Sequence, residues 1–315
     1  MPAESGRPTG SVARSALLVV AAAVLWGTSG AAQELGPPDI NPPAVATLRS
    51  LLGGSLLVAV VVLGRGGGGL VRVLRHAPGA AVGAAVAMSL FQLGYFGGIR
   101  LAGVAIGTLV AIGSAPVTAG LLDLLRGHRP TRRWAVATAI TILGTALLVT
   151  PGAGGDAIHP AGVALALLAG ASYASYAVVS KHLLDAGVAS TTAMAAAFVG
   201  ASVLLSPTLL VVDLRWAASL RGATVLVWLG VMTIALGYIL FARGLGGLQP
   251  STATTLTLAE PLTAALIAVL ILGERLSGPA LGGAVLVATG LVLAGGGRRA
   301  SPNGRGRLRR RGRDH

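Results

Sequence analysis

The chain contains ten apolar runs, and each is long enough to cross the roughly 30 Å hydrocarbon core of a membrane as a helix. The connections between the runs are short and rich in Gly, Pro and Arg, so no soluble domain fits between them. We therefore predict an all-α membrane protein of ten transmembrane helices. The predicted spans are Ser15–Ala32, Ala44–Gly64, Ala77–Ile99, Gly103–Leu125, Trp134–Thr150, Ala161–Ser180, Thr191–Val212, Ala223–Phe241, Ser251–Leu272 and Pro279–Gly295.

The composition agrees with this prediction. Of the 315 residues, 54% are hydrophobic and only 11% are charged, which is too little polar surface to cover a soluble body of this length.

A degenerate internal repeat divides the chain into two related halves. A segment that begins at Tyr95 recurs from Tyr238. Its landmarks Tyr95, Arg100, Pro116, Gly127 and Gly144 fall opposite Tyr238, Arg243, Pro261, Gly273 and Gly290, and the offset drifts only from 143 to 146. Because a duplicated, strongly apolar chain commonly places a binding site where its halves meet, the repeat predicts a binding site at that seam.

Each half has five spans, and an odd number of crossings turns the second half upside down relative to the first. We therefore predict two inverted five-helix repeats. If the N-terminus is cytoplasmic, nineteen basic residues lie in inside connections and tails and four lie outside, when Arg49 within a span is set aside. This bias predicts that both termini are cytoplasmic.

Several kinds of chemistry are excluded or disfavoured by the residues present. The chain has no cysteine, so thiolate metal sites and disulfides are excluded, and its five histidines show no metal-ligand spacing. The net charge of +14 owes much to eight arginines in the C-terminal tail. Beside a membrane, such a block favours a topological role over nucleic-acid binding. We expect no cofactor, no enzymatic activity and no nucleic-acid partner.

The chain resembles the drug/metabolite transporter superfamily in its ten-helix EamA-type branch. The residues that carry this resemblance are Trp26 and Gly27, Arg49, Pro116, the LAEP motif around Glu260 and Pro261, and the LGERLS motif around Glu274 and Arg275. The first half departs from the family pattern, because Gly127, His128 and Arg129 stand where a GER-like turn is common. The resemblance implies a secondary carrier of small metabolites, often outward and coupled to protons.

With this resemblance we expect four regions. A cytoplasmic N-terminal segment covers residues 1–14, and a first EamA-like five-helix repeat covers residues 15–152. A second EamA-like repeat covers residues 160–297, and a basic, disordered cytoplasmic tail covers residues 298–315. The expected location is the cell membrane as a multi-pass protein, with the lipid bilayer and a small-molecule substrate as partners. The sequence leaves open whether the protein is a monomer or a homodimer.

Polar and aromatic side chains in the repeated central spans are the candidates for solute binding. Gln92 and Tyr95 share a helical face, and Tyr238 is the repeat counterpart of Tyr95. Both tyrosines could equally belong to an interfacial aromatic belt. The predicted substrate-binding residues are Trp26, Gln92, Tyr95, Ser114, Tyr238 and Thr257.

Glu260 is the candidate for proton coupling. A carboxylate in hydrocarbon is unfavourable unless it is protonated or paired, which suits a proton relay, although a structural hydrogen-bonded carboxylate is the alternative. Pro261 frees a backbone carbonyl at the same level, so the helix is expected to bend or open there. For Arg49, we expect anchoring near the external interface, or a gate pair with Glu34 or Asp39.

These features favour a proton-coupled exporter of amino acids or related metabolites. The alternatives are a multidrug efflux carrier, a membrane channel or a non-transporting membrane protein. A channel would more naturally show a polar stripe or a filter repeat. The four-helix drug exporters of the same superfamily depend on a glutamate in the first span, and this chain has no acidic residue in that run before Glu34.

Overall fold

The structure of the chain, a computed structural model, describes residues 10–64, 67–149, 159–271, 273 and 276–296. Every regular element in these ranges is helical. The α-helices are α1 (Gly10–Gly27), α2 (Ser29–Glu34), α3 (Pro42–Leu63), α4 (Gly67–His76), α5 (Pro78–Ala102), α6 (Val104–Leu125), α7 (Arg132–Val149), α8 (Pro160–Asp185), α9 (Ser190–Leu205), α10 (Leu220–Val227), α11 (Gly237–Leu245), α12 (Pro250–Leu256), α13 (Ala259–Leu270) and α14 (Gly278–Gly295). A π-helix, Trp228–Leu236, joins α10 to α11, and short 3₁₀ helices cover Ser206–Leu210 and Arg215–Ala218.

The prediction of ten membrane spans is confirmed, and three of the spans are interrupted. The first span (Val12–Glu34) breaks between α1 and α2, and the ninth (Pro250–Leu270) breaks between α12 and α13. The eighth (Leu220–Leu245) contains the π-helix. Non-helical or strained backbone at membrane depth is tolerated where it is buried in protein or lines a cavity. The interruptions therefore direct attention to the space that they surround.

The sixth span is longer than its predicted end at Ser180. Helix α8 continues to Asp185 because Lys181 stays buried, with its Nζ 2.7 Å from Asp185 Oδ1 one turn further along the helix. His182 accordingly lies in the last turn of α8 and not in a connection. A charged residue therefore does not end this helix, because its partner is supplied by the helix itself.

The helix packing shows two inverted repeats, as predicted. Helix α5 of the first half packs along α8 of the second, and their repeat counterparts α11 and α1 pack together in the same way. Helices α3 and α9, which correspond to each other, also pack together. Corresponding helices run in opposite directions because each half crosses the membrane an odd number of times. The ten spans leave the start of α1 and the end of α14 on one face, here called the termini face.

Helices α7 and α14, the last helices of the two halves, cross at their backbones. A Cβ atom added to Gly144 would meet the Gly283 carbonyl oxygen, and a Cβ atom added to Gly283 would meet the Gly144 carbonyl oxygen. Such close contact replaces the hydrophobic effect as a source of helix association inside a membrane. Large apolar side chains elsewhere, such as Leu17, Leu63 and Leu125, are exposed on the outside of the bundle, as lipid contact requires.

Candidate functional site

A cavity of about 610 Å³ lies between the two halves. This volume is within the roughly 300–1,000 Å³ typical of small-molecule sites. Its outer walls include residues at helix ends opposite the termini face, among them Gln33, Pro42, Ile99, Val104 and Val149. The cavity therefore opens on that opposite face, and we call this opening the mouth.

An aromatic cluster closes the cavity toward the termini face. Trp26, Tyr173 and Tyr238 line the cavity, and Tyr176, Phe198 and Phe241 are fully buried beneath them. The rings contact one another directly, with centroids 4.8 Å apart for Trp26 and Tyr238 and 4.4 Å apart for Phe198 and Tyr238. We call these six residues the aromatic floor. Packed aromatic pairs of this kind add about 0.5–1.5 kcal/mol each beyond the area that they bury.

Arg49 of α3 carries a positive charge into the cavity wall. Its Nη2 donates a hydrogen bond to Gln92 Oε1 at 2.8 Å, and its guanidinium carbon lies 5.9 Å from the centre of the Phe96 ring. Gln92 is itself fixed, because its Nε2 donates to Ser50 Oγ at 2.5 Å and to the Ala46 carbonyl oxygen at 3.3 Å. The Nε of Arg49 has no hydrogen-bond partner among the described residues. One side of the guanidinium is thus held by the protein, while the side chain as a whole lines the cavity.

Glu260 lines the same cavity from the first turn of α13. Helix α12 ends at Leu256 and α13 begins at Ala259, so the ninth span is broken directly before Glu260. The break lies three residues or more before Pro261, because proline is tolerated in the first turn of a helix but not further inside. Among the described residues, the Glu260 carboxylate forms no ion pair or side-chain hydrogen bond.

The π-helix supplies a polar anchor for the floor. Trp26 Nε1 donates a hydrogen bond to the carbonyl oxygen of Thr233, at 2.8 Å, within the π-helix. Thr233 Oγ1 in turn donates to the Leu229 carbonyl oxygen. Because a π-helix shifts the backbone pairing, a side chain from a neighbouring helix can bond a carbonyl that an α-helix would retain. The indole of Trp26 is therefore fixed to the second half of the molecule.

The structure places five of the seven predicted site residues on the cavity. Trp26, Tyr95, Tyr238, Thr257 and Glu260 line it. Tyr95 approaches Thr108 Oγ1 at 3.4 Å, and Tyr238 is 5% exposed within the floor, so neither tyrosine lies in a lipid-facing aromatic belt.

The other two predicted residues do not line the cavity. Gln92 lies behind Arg49, and Ser114 Oγ donates to the Ala111 carbonyl oxygen where α6 packs on α8. Both side chains serve structural contacts. The LGERLS turn lies partly outside the described residues, which include neither Glu274 nor Arg275.

The expected position of Arg49 near the external interface was wrong. The guanidinium lines the cavity and is bound to Gln92, so it neither snorkels to the interface nor pairs with Glu34 or Asp39. Its place on an otherwise apolar helix was the signal available in the sequence, because a charged side chain within a span commonly faces the bundle interior. Phe91, Phe96 and Thr108 also line the cavity and were missed, since nothing in their spacing separates them from packing residues.

The cavity thus combines one cation and one carboxylate with aromatic walls. Arg49 and Glu260 both line the cavity but are not within ion-pair distance of each other. The described residues include no group of His, Asp or Glu side chains that could hold a metal ion. The arrangement suits a small solute with separate polar ends and an apolar body.

The comparisons with known proteins agree with the fold. The model of the EamA-like transporter family matches residues 13–150 and again residues 160–296. The uncharacterized transporter YwfM of Bacillus subtilis is 37% identical over 278 residues, which are 88% of this chain and 92% of that protein. An uncharacterized transporter of Clostridium kluyveri is 29% identical over 168 residues, or 50% of this chain.

A solved crystal structure shares the fold, with a TM-score of 0.77, 22% sequence identity, and coverage of 89% of this chain and 96% of that one. Two family matches in succession account for the duplicated architecture, and they place this chain among membrane transporters. The protein is a member of the EamA-like transporter family.

Proposed function

We propose that the protein exports amino acids or related zwitterionic metabolites and couples this export to protons. The observation that carries the proposal is that Arg49 and Glu260 face one cavity without pairing with each other. A direct ion pair would neutralise both groups and leave little for a charged solute. Separated charges in a site shielded from water can instead each bind the opposite end of a zwitterion.

The two charges support distinct roles. The Arg49 guanidinium is always charged and is oriented by Gln92, so it is the receptor for a solute carboxylate. Glu260 has no partner among the described residues, so it can hold either a proton or a solute ammonium group. Because one carboxylate serves both, binding of a proton releases the ammonium group. Exchange of a proton for the solute is the basis of the proposed coupling.

The aromatic walls support a solute with an apolar side chain. Phe91, Phe96 and Tyr95 surround the mouth side of the cavity, and Trp26 and Tyr173 form its base. Such flat apolar surfaces accept aliphatic and aromatic groups of several shapes. The cavity therefore favours apolar amino acids over small anions.

The experiment uses proteoliposomes loaded with a mixture of isotope-labelled amino acids. We expect efflux of one or more of them to accelerate when the outside is made acidic. Glu260→Gln should remove the response to the gradient, because the amide cannot release a proton, and Arg49→Gln should abolish efflux under all gradients. The matched control is Ser175→Ala, since Ser175 bonds only the Ala171 carbonyl within α8 and does not line the cavity.

Two outcomes contradict the proposal. Efflux that ignores the pH gradient, and is equal in Glu260→Gln, would remove proton coupling. Transport of tetraphenylphosphonium in preference to all amino acids would favour the multidrug alternative. The positive charge of Arg49 inside the cavity opposes that alternative, because it repels a lipophilic cation.

A further inference from the structure

The termini face is closed by a buried lysine beneath the aromatic floor. Lys181, the only lysine of the chain, is 8% exposed at the end of α8. Its Nζ donates to the carbonyl oxygen of Gly246 at 3.0 Å, at the end of α11, and to Asp185 Oδ1 at 2.7 Å. Helix α11 packs mainly on α1, and α8 packs mainly on α5 and α6. The lysine thus joins the two sets of helices that must separate if this face is to open.

Corresponding helices of the two repeats make corresponding contacts in the structure. Gly162 of α8 lies against the backbone of Leu101 and Ala102 in α5. In the other pair of helices, Gly244 of α11 lies against the backbone of Ser15 in α1. The internal repeat relates these two contacts. A shift of 147 residues aligns α1 with α8, so Ser15 corresponds to Gly162. A shift of 143 residues aligns α5 with α11, so Leu101 corresponds to Gly244. The second shift also superposes Tyr95 on Tyr238 and Arg100 on Arg243.

The same two shifts relate the lysine contact to residues at the mouth. Glu34 is the counterpart of Lys181, and Gly103 is the counterpart of Gly246. Arg100 lies three residues before Gly103, near the end of α5. We propose that Glu34 and Arg100 form an ion pair that closes the mouth when the termini face opens. This pair would take the place, on the opposite face, of the Lys181 contact with Gly246.

The two residues are poised for this contact in the open structure. Both are exposed, and neither belongs to an ion pair among the described residues. Their chain neighbours Gln33 and Ile99 both line the cavity at the mouth. Helix α8 packs on α11 at the closed face, whereas α2 and α5 are separated by the cavity at the open face. Inward movement of α2 toward α5 would therefore bring the two charges together.

The residues between the charges permit a close approach. Ser29 is the counterpart of Tyr176, and Gly98 is the counterpart of Phe241. Ser29, which lines the cavity, and Gly98, which lies against Ala166 of α8, are thus small where the floor has two fully buried rings. Small residues at these two positions leave room for α2 to move toward α5, beside the rings of Phe91, Tyr95 and Phe96 that line the cavity. In the proposed closed state, the charged pair at the helix ends adds to these rings, whereas the other face is closed by the aromatic floor and Lys181.

Introduced cysteines test the proposal without any solute, because the natural chain has none. The double variant Glu34→Cys/Arg100→Cys is reconstituted and treated with a short bifunctional thiol cross-linker. Adding Lys181→Ala removes the lysine contact and so favours the state with a closed mouth. We expect cross-linking to become about tenfold faster, which corresponds to the loss of one hydrogen-bonded charge. Asp185→Asn, which leaves the lysine in place but weakens its anchoring, should give a smaller increase in the same direction.

A second measurement tests the charges themselves. Ala265→Cys places a thiol on the cavity wall, where a membrane-impermeant maleimide reaches it through the mouth. In the Lys181→Ala background we expect its labelling to slow. Glu34→Arg should abolish the slowing, and the exchange Glu34→Arg/Arg100→Glu should restore it. Asp39→Asn is the matched control, because Asp39 is an exposed acid on the same face, and it should leave the slowing intact.

Either of two results would overturn the proposal. One is a cross-linking rate for positions 34 and 100 that is unaffected by Lys181→Ala and by Asp185→Asn. The other is slowed labelling of Ala265→Cys that persists in Glu34→Arg. Neither measurement involves an amino acid or a pH gradient, so the result does not depend on the proposed solute or on proton coupling.

Discussion

Arg49 is held at a fixed place in the cavity wall by neighbours that are polar but do not contact the cavity. Gln92 of α5 binds the guanidinium on one side. The Gln92 amide is itself bound to Ser50 and Ala46, which lie on α3 beside Arg49. A guanidinium with this support loses little conformational entropy when it binds a carboxylate. The affinity for a solute therefore depends on a residue that the solute does not touch.

This dependence predicts the effect of replacing Gln92 by an apolar residue of similar length. In Gln92→Met, the guanidinium loses its acceptor and is no longer oriented. We expect KM for the transported amino acid to rise about tenfold, as a lost hydrogen bond to a charged group implies, with a smaller change in the maximal rate. Concentration-dependent efflux from proteoliposomes measures both constants. An unchanged KM would show that Arg49 does not need this support.

At the scale of elements, the site is formed where helices are interrupted. The first span breaks at Thr28, next to Gly27, and the ninth breaks before Glu260. These two breaks are in contact, because a Cβ atom on Gly27 would lie 2.7 Å from the Glu260 carbonyl oxygen and 2.7 Å from Thr263 Cβ. Glycine is required at this position by the close approach of α1 and α13. The backbone of Glu260 can thus lie this close to α1 because Gly27 has no side chain.

A methyl group at this contact should separate the two helices. We expect Gly27→Ala to lower the free energy of unfolding by about 1–3 kcal/mol, as overpacking of a tight contact does. Thermal unfolding in detergent, followed by the fluorescence of a thiol-reactive dye at an introduced cysteine, measures the loss. Gly30→Ala serves as the control, since a Cβ atom there meets nothing within 4 Å and stability should not change. Equal stability of both variants would contradict the packing argument.

Sequence patterns captured the spans because hydropathy reports directly on contact with lipid, and they captured the inversion because the repeat contains an odd number of spans. The positions of individual polar side chains were less accessible. The predicted sixth span stopped before Lys181, because the sequence does not show that Asp185 is the partner of this lysine. Arg49 was assigned to the interface, because the sequence does not show that Gln92 binds its guanidinium. Gln92 and Ser114 are polar residues of the kind that binding sites contain, but their side chains form structural hydrogen bonds within the helix bundle. Only the three-dimensional neighbours of a polar residue distinguish these two roles.

At the scale of the whole molecule, the ten spans give each connection a definite side of the membrane. The predicted orientation, with both termini cytoplasmic, rests on the distribution of arginines. The connection between α6 and α7 contains His128, and the connection between the seventh and eighth spans contains Asp213. Both residues are exposed, and the two connections lie on opposite faces.

Labelling in intact cells tests this orientation. We expect Asp213→Cys to react with a membrane-impermeant maleimide added outside, and His128→Cys to react only after the cells are permeabilised. The natural chain has no cysteine and provides the background control. The reverse pattern would place the termini outside the cell and would contradict the orientation predicted from the arginines.

The unlike closures of the two faces bear on how fast the carrier can turn over. Parting the floor means separating ring contacts among six packed side chains, whereas in the proposed closed state parting the mouth also means separating Glu34 from Arg100, which are both exposed in this structure. Opening of the floor loses the dispersion contacts of these rings, so we expect it to be the slower of the two movements. We therefore expect the carrier to rest with its binding site connected to one compartment, and we expect heating to accelerate its departure from that state.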